Sequence, residues 1–134
     1  MKGHARNMMT APVLSVGPDA SLAEIARCMA GARIGGVPVV GAEGRVEGFV
    51  SESDLLGALL AERALSTRAS EIMTHSVLSV DEFDRTEEVM ELLRKHRIHH
   101  LPVLRAGQLV GMITPSDVVR FMVEHVLTEP PKVG

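Results

Sequence analysis

The sequence predicts an α/β fold class in which two tandem β-α-β-β-α repeats pack with pseudo-twofold symmetry. Three observations support this prediction: the chain matches itself in several segments, each copy has a helical segment with an apolar stripe, and each copy then has two strand-like runs around a turn. The matching segments are residues 9–16 with 73–80, residues 33–39 with 97–103 and, after one deletion, residues 48–54 with 111–117. We therefore expect two homologous units, residues 7–64 and residues 65–127, that together form one globular module.

Each copy is expected to contain three strands and a closing helix. The strand-like runs are residues 13–16, 37–40 and 45–50 in the first copy and residues 77–80, 101–104 and 109–113 in the second. Glycine-containing turns between the last two runs of each copy are typical of hairpins. The closing helices are predicted at about residues 53–64 and 115–127. Both carry more apolar residues than one buried stripe requires, which favours a homodimer interface; the alternative is that the surplus covers the other repeat of the same chain.

The first helix of each copy is predicted from its start signal and its apolar period. Ser21 with Glu24 in the first copy, and Asp84 with Glu87 in the second, have the spacing of a capping box. The apolar positions that follow recur near the 3.6-residue period, and they are Leu22, Ile25, Ala26 and Met29 in the first copy and Val89, Leu92 and Leu93 in the second.

Composition argues against several classes of protein. A net charge of −3, from 14 basic and 17 acidic residues, gives little support for binding nucleic acid. We recognise no secretion signal and no segment long enough to span a membrane. Cys28 is the only cysteine, so an intramolecular disulfide is impossible, and a cytoplasmic location is expected.

Several linked motifs together resemble the CBS domain, named for cystathionine β-synthase. They are a Met-Thr pair before a short strand, a Val/Leu-Pro-Val run, and a strand that starts with glycine, ends in Ser51 or Thr114 and is followed by Asp54 or Asp117. Both copies carry them, over about residues 7–125, as in a stand-alone tandem CBS module. The resemblance implies two related clefts between the repeats that bind AMP, ADP or ATP, with S-adenosylmethionine or NAD as further possibilities, and it implies pairing into dimers.

The strand-to-helix junction of each copy is the sharpest local element of the sequence. Thr114 and Asp117 have the spacing of a helix N-cap and its third residue, which by itself is a structural role. A helix N terminus beside a hydroxyl is also a good phosphate site, and a carboxylate there can accept both ribose hydroxyls. In the CBS family the matching Thr and Asp bind ligand in this way. Ser51 and Asp54 match them in the first copy, but Glu52 adds a carboxylate that is unfavourable beside a phosphate.

The connection into the Val/Leu-Pro-Val strand differs between the copies. His99 and His100 stand where nucleotide-binding relatives often carry a cation, whereas Gly35 and Gly36 stand there in the first copy. The second copy is therefore expected to bind phosphate better. A solvated connection is one alternative for the histidines, and a metal site that includes His96 is another, although no carboxylate or cysteine completes a ligand shell.

By the resemblance, each cleft combines the first strand of one repeat with the helix start of the other. The expected ligand contacts are Thr10, Pro12, Val13, His99, His100, Thr114 and Asp117 in the better site, and Thr74, Ser76, Val77, Gly35, Gly36, Ser51 and Asp54 in the weaker one. A plain core position is the alternative for Val13 and Val77.

We expect a regulatory sensor that binds an adenine nucleotide and acts in trans on an effector protein, with no required cofactor and no metal. The alternative is a ligand-free dimerisation or protein-interaction module. An enzyme is disfavoured because the histidines lack an evident nucleophile partner and no GxxxxGK[ST] phosphate loop is present.

Overall fold

The computed structural model describes residues 2–127, which divide into two compact units. The first-repeat unit contains Leu14–Leu78 and Gly107–Leu109. The second-repeat unit contains Ser79–Ala106, residues 110–127 and residues 2–13. Residues 7–13 of the predicted first copy therefore group with the second repeat, and residues 65–78 of the predicted second copy group with the first.

Helices and short strands alternate along the chain, with a 3-10 turn at Ala42–Gly44. In chain order the elements are α1 (Ala5–Met8), α2 (Leu22–Ala32), β1 (Gly36–Val40), β2 (Val46–Ser51), α3 (Glu52–Leu60), α4 (Ala69–Ile72), β3 (Val80–Asp81), α5 (Thr86–His96), β4 (Leu101–Arg105), β5 (Gln108–Ile113) and α6 (Pro115–His125). This mixture of helices and strands in two repeats confirms the predicted fold class. Within the described residues, no helix is long and apolar enough to cross a membrane.

The first-repeat unit is built on a hairpin. Strands β1 and β2 pair antiparallel, with Gly36 opposite Ser51. The predicted hairpin is confirmed, and Val16 adds a parallel bridge to Val39. The core buries one face of α2 against this hairpin and α4, and its buried members are Ile25, Met29, Val37, Val39, Val50 and Ala69.

The second-repeat unit repeats this plan with one more regular strand. Its sheet has the order β3-β4-β5, and β3 runs parallel to β4, with Val80 opposite Val103. The core packs α1, α5 and α6 with this sheet, and its buried members are Ala5, Met8, Val80, Val89, Leu93, Leu101, Val103, Ile113 and Phe121.

The first predicted strand of each copy is wrong over most of its length. Residues 13–15 and 77–79 lie outside strands, and pairing begins only at Val16 and Val80. Val16 donates to the Pro38 carbonyl and accepts from Val40, but the next bond toward the N terminus would need an N–H from Pro38. Proline has no N–H, and Pro102 occupies the same place in the second repeat, so the parallel pairing ends there in both copies.

Of the two predicted starts of the first long helix, that of α2 agrees with the structure and that of α5 does not. Ser21 accepts the N–H of Glu24 at 3.1 Å, as predicted. The predicted box of Asp84 with Glu87 is wrong, because Asp84 accepts the N–H of Asp81 at 2.9 Å and Arg85 becomes the residue before α5. The closing helices end at Leu60 and His125, a few residues earlier than predicted.

Helices α1 and α4 were not predicted, although they occupy matching positions before the Met-Thr pairs. Ala5 and Ala69 open these helices and are fully buried. Their N–H groups donate to the carbonyls of Asp84 and Ala20, which hold α1 against the start of α5 and α4 against the start of α2. The structural repeat thus begins earlier in the sequence than residue 7.

A buried carboxylate joins β3 to β4. Glu82 is 3% exposed and forms two side-chain bonds with Arg105, while its N–H donates to the Leu104 carbonyl. The hydrogen bond and charge of Glu82 raise the pKa of Arg105 above its ordinary value. The arginine therefore stays cationic and compensates the buried charge.

Candidate functional site

The start of α6 forms a reciprocal cap in the second-repeat unit. Asp117 is only 4% exposed, and its Oδ2 accepts the Thr114 N–H at 2.8 Å and the Thr114 hydroxyl at 3.1 Å. Because a buried carboxylate needs donors to offset its lost hydration, these bonds fix the side chain over the first turn of α6.

Thr10 reaches the same carboxylate from the N-terminal segment. Its hydroxyl donates to Asp117 Oδ1 at 2.7 Å, although the two residues are far apart in sequence. The backbone of Thr10 exchanges two hydrogen bonds with Met112 at the end of β5, at 2.8 and 3.0 Å. This short antiparallel bridge brings the hydroxyl to the helix start.

A glycine in β5 makes this approach possible. A Cβ atom at Gly111 would collide with the side chain of Met9, which precedes Thr10. Gly48 has the same relation to Met73 in the first-repeat unit, where a Cβ would lie 2.7 Å from the methionine Cγ. In each repeat the methionine of the Met-Thr pair therefore packs against the glycine of the strand, where a larger residue would not fit.

Arg120 completes the surroundings of Asp117, and the sequence reasoning missed it. Its Nη1 lies 2.9 Å from Asp117 Oδ1, and its Nη2 donates to the Met8 carbonyl at 3.1 Å. Each oxygen of Asp117 therefore receives two donors, which uses the acceptor capacity of a carboxylate. The signal in the sequence was the Asp-Arg spacing of one helical turn.

The first-repeat unit has the same cap at the start of α3. Asp54 Oδ2 accepts the Ser51 N–H at 2.8 Å and the Ser51 hydroxyl at 3.0 Å. The Thr74 hydroxyl lies 3.5 Å from both oxygens of Asp54, a much longer contact than that of Thr10. Gly57 stands where α6 carries its arginine, and in the described part of the chain Asp54 forms no ion pair.

The two glycines predicted for this site lie at its edge. The Gly35 carbonyl accepts the N–H of Glu52 at 3.1 Å. A Cβ at Gly36 would lie 2.6 Å from the ring of Phe49, so this ring covers the position where the second repeat has His100. Phe49 was not among the predicted residues, and its place depends on the hairpin register, which puts Pro38 opposite it.

Comparison with known proteins places the chain in a family. A model of the CBS domain matches residues 5–61 and 69–124. The chain belongs to the CBS domain family. Hypoxic response protein 1 of Mycobacterium tuberculosis is 28% identical over 127 residues, which cover 93% of this chain and 89% of that protein.

Solved structures share the fold of this CBS pair. A putative acetoin utilization protein (AcuB) from Vibrio cholerae has a TM-score of 0.87 at 30% identity, with 97% of this chain and 100% of that chain covered. The complex of CBSX2 with AMP has a TM-score of 0.81 at 25% identity, with coverages of 90% and 96%. The predicted tandem CBS repeats are therefore confirmed.

The remaining predicted residues lie in the same units as the carboxylates that the sequence analysis grouped them with. In the second-repeat unit Pro12 and His99 are exposed, and Val13 and His100 are half-buried. In the first-repeat unit Ser76 is exposed and Val77 is half-buried. Among residues 2–127, no group of three or more His, Cys, Asp or Glu side chains is arranged to hold a metal ion.

Proposed function

We propose that this CBS pair is a regulatory module whose helix starts at α6 and α3 bind adenosine-containing compounds. At α6 the proposed ligand is an adenine nucleotide, AMP, ADP or ATP, and an effector protein reads the bound state in trans. The observation that carries the proposal is the convergence of Thr10, Thr114 and Asp117 at the start of α6. The AMP complex of CBSX2 supports it, because that protein has the same fold.

The chemistry of the α6 start suits both halves of a nucleotide. The helix dipole attracts a phosphate, and the Thr114 hydroxyl, which donates to Asp117 in the single chain, can turn to it as a donor. A carboxylate in the position of Asp117 can accept the two hydroxyls of a ribose. We assign no required cofactor and no catalytic residue to this site.

Ligand binding at Asp117 requires an exchange of donors. Because both of its oxygens are already fully used, a ribose must displace the hydroxyl of Thr10 or the guanidinium of Arg120. Arg120 also binds the Met8 carbonyl at the end of α1, so its displacement would loosen α6 from α1. An effector that distinguishes these two states would sense the nucleotide.

Isothermal titration tests the proposal directly. AMP, ADP, ATP, NAD and S-adenosylmethionine are titrated separately into the full chain at high micromolar concentration. We expect saturable heat with at least one adenine nucleotide and a weaker affinity in Asp117→Asn, which keeps the shape of the side chain. Absence of heat with all five compounds would overturn the proposal.

We also propose a homodimer formed through the apolar faces of α3 and α6. Several large side chains on or just after these helices are exposed in the single chain: Leu56, Leu59 and Leu60 on α3, and Val119, Met122, Val123, Val126 and Leu127 on or after α6. Exposed apolar surface of this kind is typical of an interaction site, and a second copy offers the same complementary surface.

Light scattering after size exclusion tests the dimer. We expect the wild-type chain to have twice its mass of 14.4 kDa, and Leu59→Glu or Val123→Glu to shift it toward the monomer. Lys95→Glu, on the exposed part of α5, serves as a charge-change control. A monomer at all micromolar concentrations would contradict this proposal.

One observation favours a second candidate function. The side chains of the protein itself fill the acceptor positions of Asp117, which is also what a ligand-free dimerisation and interaction module requires. A dimer that gives no heat with any adenosine compound would support this alternative.

A further inference from the structure

We propose that the two repeats select adenosine compounds that differ in charge at the 5′ position. The site at α6 takes a compound with a 5′ phosphate, whereas the site at α3 takes one whose 5′ substituent carries no negative charge. This inference rests on the proposed function, because it concerns the ligand class of the same two helix starts.

The charged residues around the two sites differ at matching positions. The segment from the end of α5 to the start of β4 carries six basic residues at these positions, whereas the matching segment from the end of α2 to the start of β1 carries one. The matching residues are Arg94, Lys95, His96, Arg97, His99 and His100 in the second repeat and Ala30, Gly31, Ala32, Arg33, Gly35 and Gly36 in the first. All of the basic side chains except His100 are exposed. The unit that contains the α6 site therefore carries more positive charge at these positions than the unit that contains the α3 site, which favours an anionic ligand in the former.

The helix starts differ in the same direction. The first position of α6 is Pro115, which is uncharged, and the first position of α3 is Glu52, whose side chain is exposed. Neither start offers a phosphate the N–H of its first residue, because Pro115 has none and that of Glu52 is bonded to the Gly35 carbonyl. The two starts therefore differ in charge: α3 presents a carboxylate where α6 presents an uncharged ring, which disfavours a phosphate at α3.

The capping carboxylates differ in charge compensation. Asp117 is paired with Arg120, so the α6 start has a cation that offsets the charge of its carboxylate, whichever donor a ribose displaces. Asp54 has no such partner within the described chain, because Gly57 replaces the arginine. Its Oδ1 has only the long contact to Thr74, so a ribose can bind there without displacing a strong donor. Asp54 therefore favours a nucleoside and disfavours a compound with a 5′ phosphate.

The experiment measures AMP against adenosine at each site. Asp117→Asn leaves the α3 site to be measured, and Asp54→Asn leaves the α6 site. At low salt we expect Asp54→Asn to bind AMP at least about tenfold more tightly than adenosine, since one favourable charge contact is of that size. In Asp117→Asn we expect the opposite order.

A gain-of-function variant makes the test independent of the Asn substitutions. Gly57→Arg places a guanidinium one turn after Asp54, and a Cβ there meets nothing within 4 Å. Combined with Glu52→Gln in the otherwise wild-type chain, it should raise AMP stoichiometry from about one to about two per chain, with no gain in adenosine affinity, because the new guanidinium also competes with a ribose for Asp54. The matched control carries Glu52→Gln and Gly57→Gln, which add length without the charge.

The outcomes separate this inference from the proposed function. An equal AMP to adenosine preference at both sites, or equal AMP binding by the Gly57→Arg variant and its Gly57→Gln control, would overturn the charge selection while the sites themselves remain. If neither compound binds to the wild-type chain or to any variant, the proposed function itself fails.

Discussion

The bond between Thr10 and Asp117 is predicted to stabilise the second-repeat unit measurably. Thr10→Val removes the hydroxyl that donates to Asp117 at 2.7 Å and keeps the β-branched shape that suits the bridge to Met112. The perturbation therefore isolates one side-chain hydrogen bond to a buried carboxylate.

The expected loss follows from the surroundings of the carboxylate. A hydrogen bond to a charged group contributes about 1.5–3 kcal/mol, and we take the lower end because Thr10 is exposed and Arg120 stays at 2.9 Å from the same oxygen. The entropy of unfolding is about 2.1 cal/mol/K per residue, so for 134 residues a loss of about 1.5 kcal/mol lowers Tm by about 5 °C.

Thermal unfolding followed by circular dichroism measures this shift. Thr74→Val is the matched control, because the Thr74 hydroxyl lies 3.5 Å from Asp54 and should contribute less than about 0.5 kcal/mol. We expect a clear difference between the two variants. If both lower Tm equally, or if Thr10→Val has no effect, the assignment of Asp117 as a bonded, buried centre is refuted.

Two further predictions concern packing and phosphate recognition. Gly111→Ala should lower Tm by several degrees because its methyl group collides with Met9, and Met9→Ala in the same chain should recover part of the loss; a Tm unchanged by Gly111→Ala would contradict the close approach. Replacing His99 and His100 by Ala should weaken ATP binding in titrations several-fold and leave adenosine binding unchanged, whereas steady ATP hydrolysis that is lost in this variant would identify an enzyme instead.

The sequence predicts the repeated parts of the fold well because they depend on local patterns. The hairpin and the long helices follow from apolar periodicity and turn residues, and the caps at Thr114 and Ser51 follow from a spacing of three residues. The short first strands are wrong because the pattern of their own side chains does not report the missing N–H of a proline on the neighbouring strand. The extent of pairing therefore depends on a proline of the neighbouring strand, which lies about twenty residues away in the sequence.

The residues of the candidate site likewise include some that the sequence predicts and others that depend on contacts distant in sequence. The placement of Thr10 and Asp117 in one site was expected only from the family resemblance, and the hydrogen bond between them was not predicted, since nothing near either residue indicates the other. Arg120 and Phe49 were missed for a different reason. An arginine one turn from an aspartate is common on exposed helices, and only the burial of Asp117 makes this one important. Phe49 covers Gly36 because of the hairpin register, which alternation alone leaves open by one residue.

Comparison of the two repeats separates what the geometry requires from what is free to vary. Matching positions that build the helix start are retained: the glycine that admits a methionine, the hydroxyl residue at the N-cap, the aspartate, and the threonine that faces it. Those that differ around them are Arg120 with Gly57, Pro115 with Glu52, and His100 with Gly36, and each change makes the first-repeat site less positive. Packing against the ring of Phe49 accounts for Gly36, but fold maintenance requires neither of the other two changes, since a Cβ at Gly57 meets no atom and Glu52 is exposed. A difference in ligand charge accounts for both of these, which is why the Gly57→Arg variant is the decisive experiment on this chain.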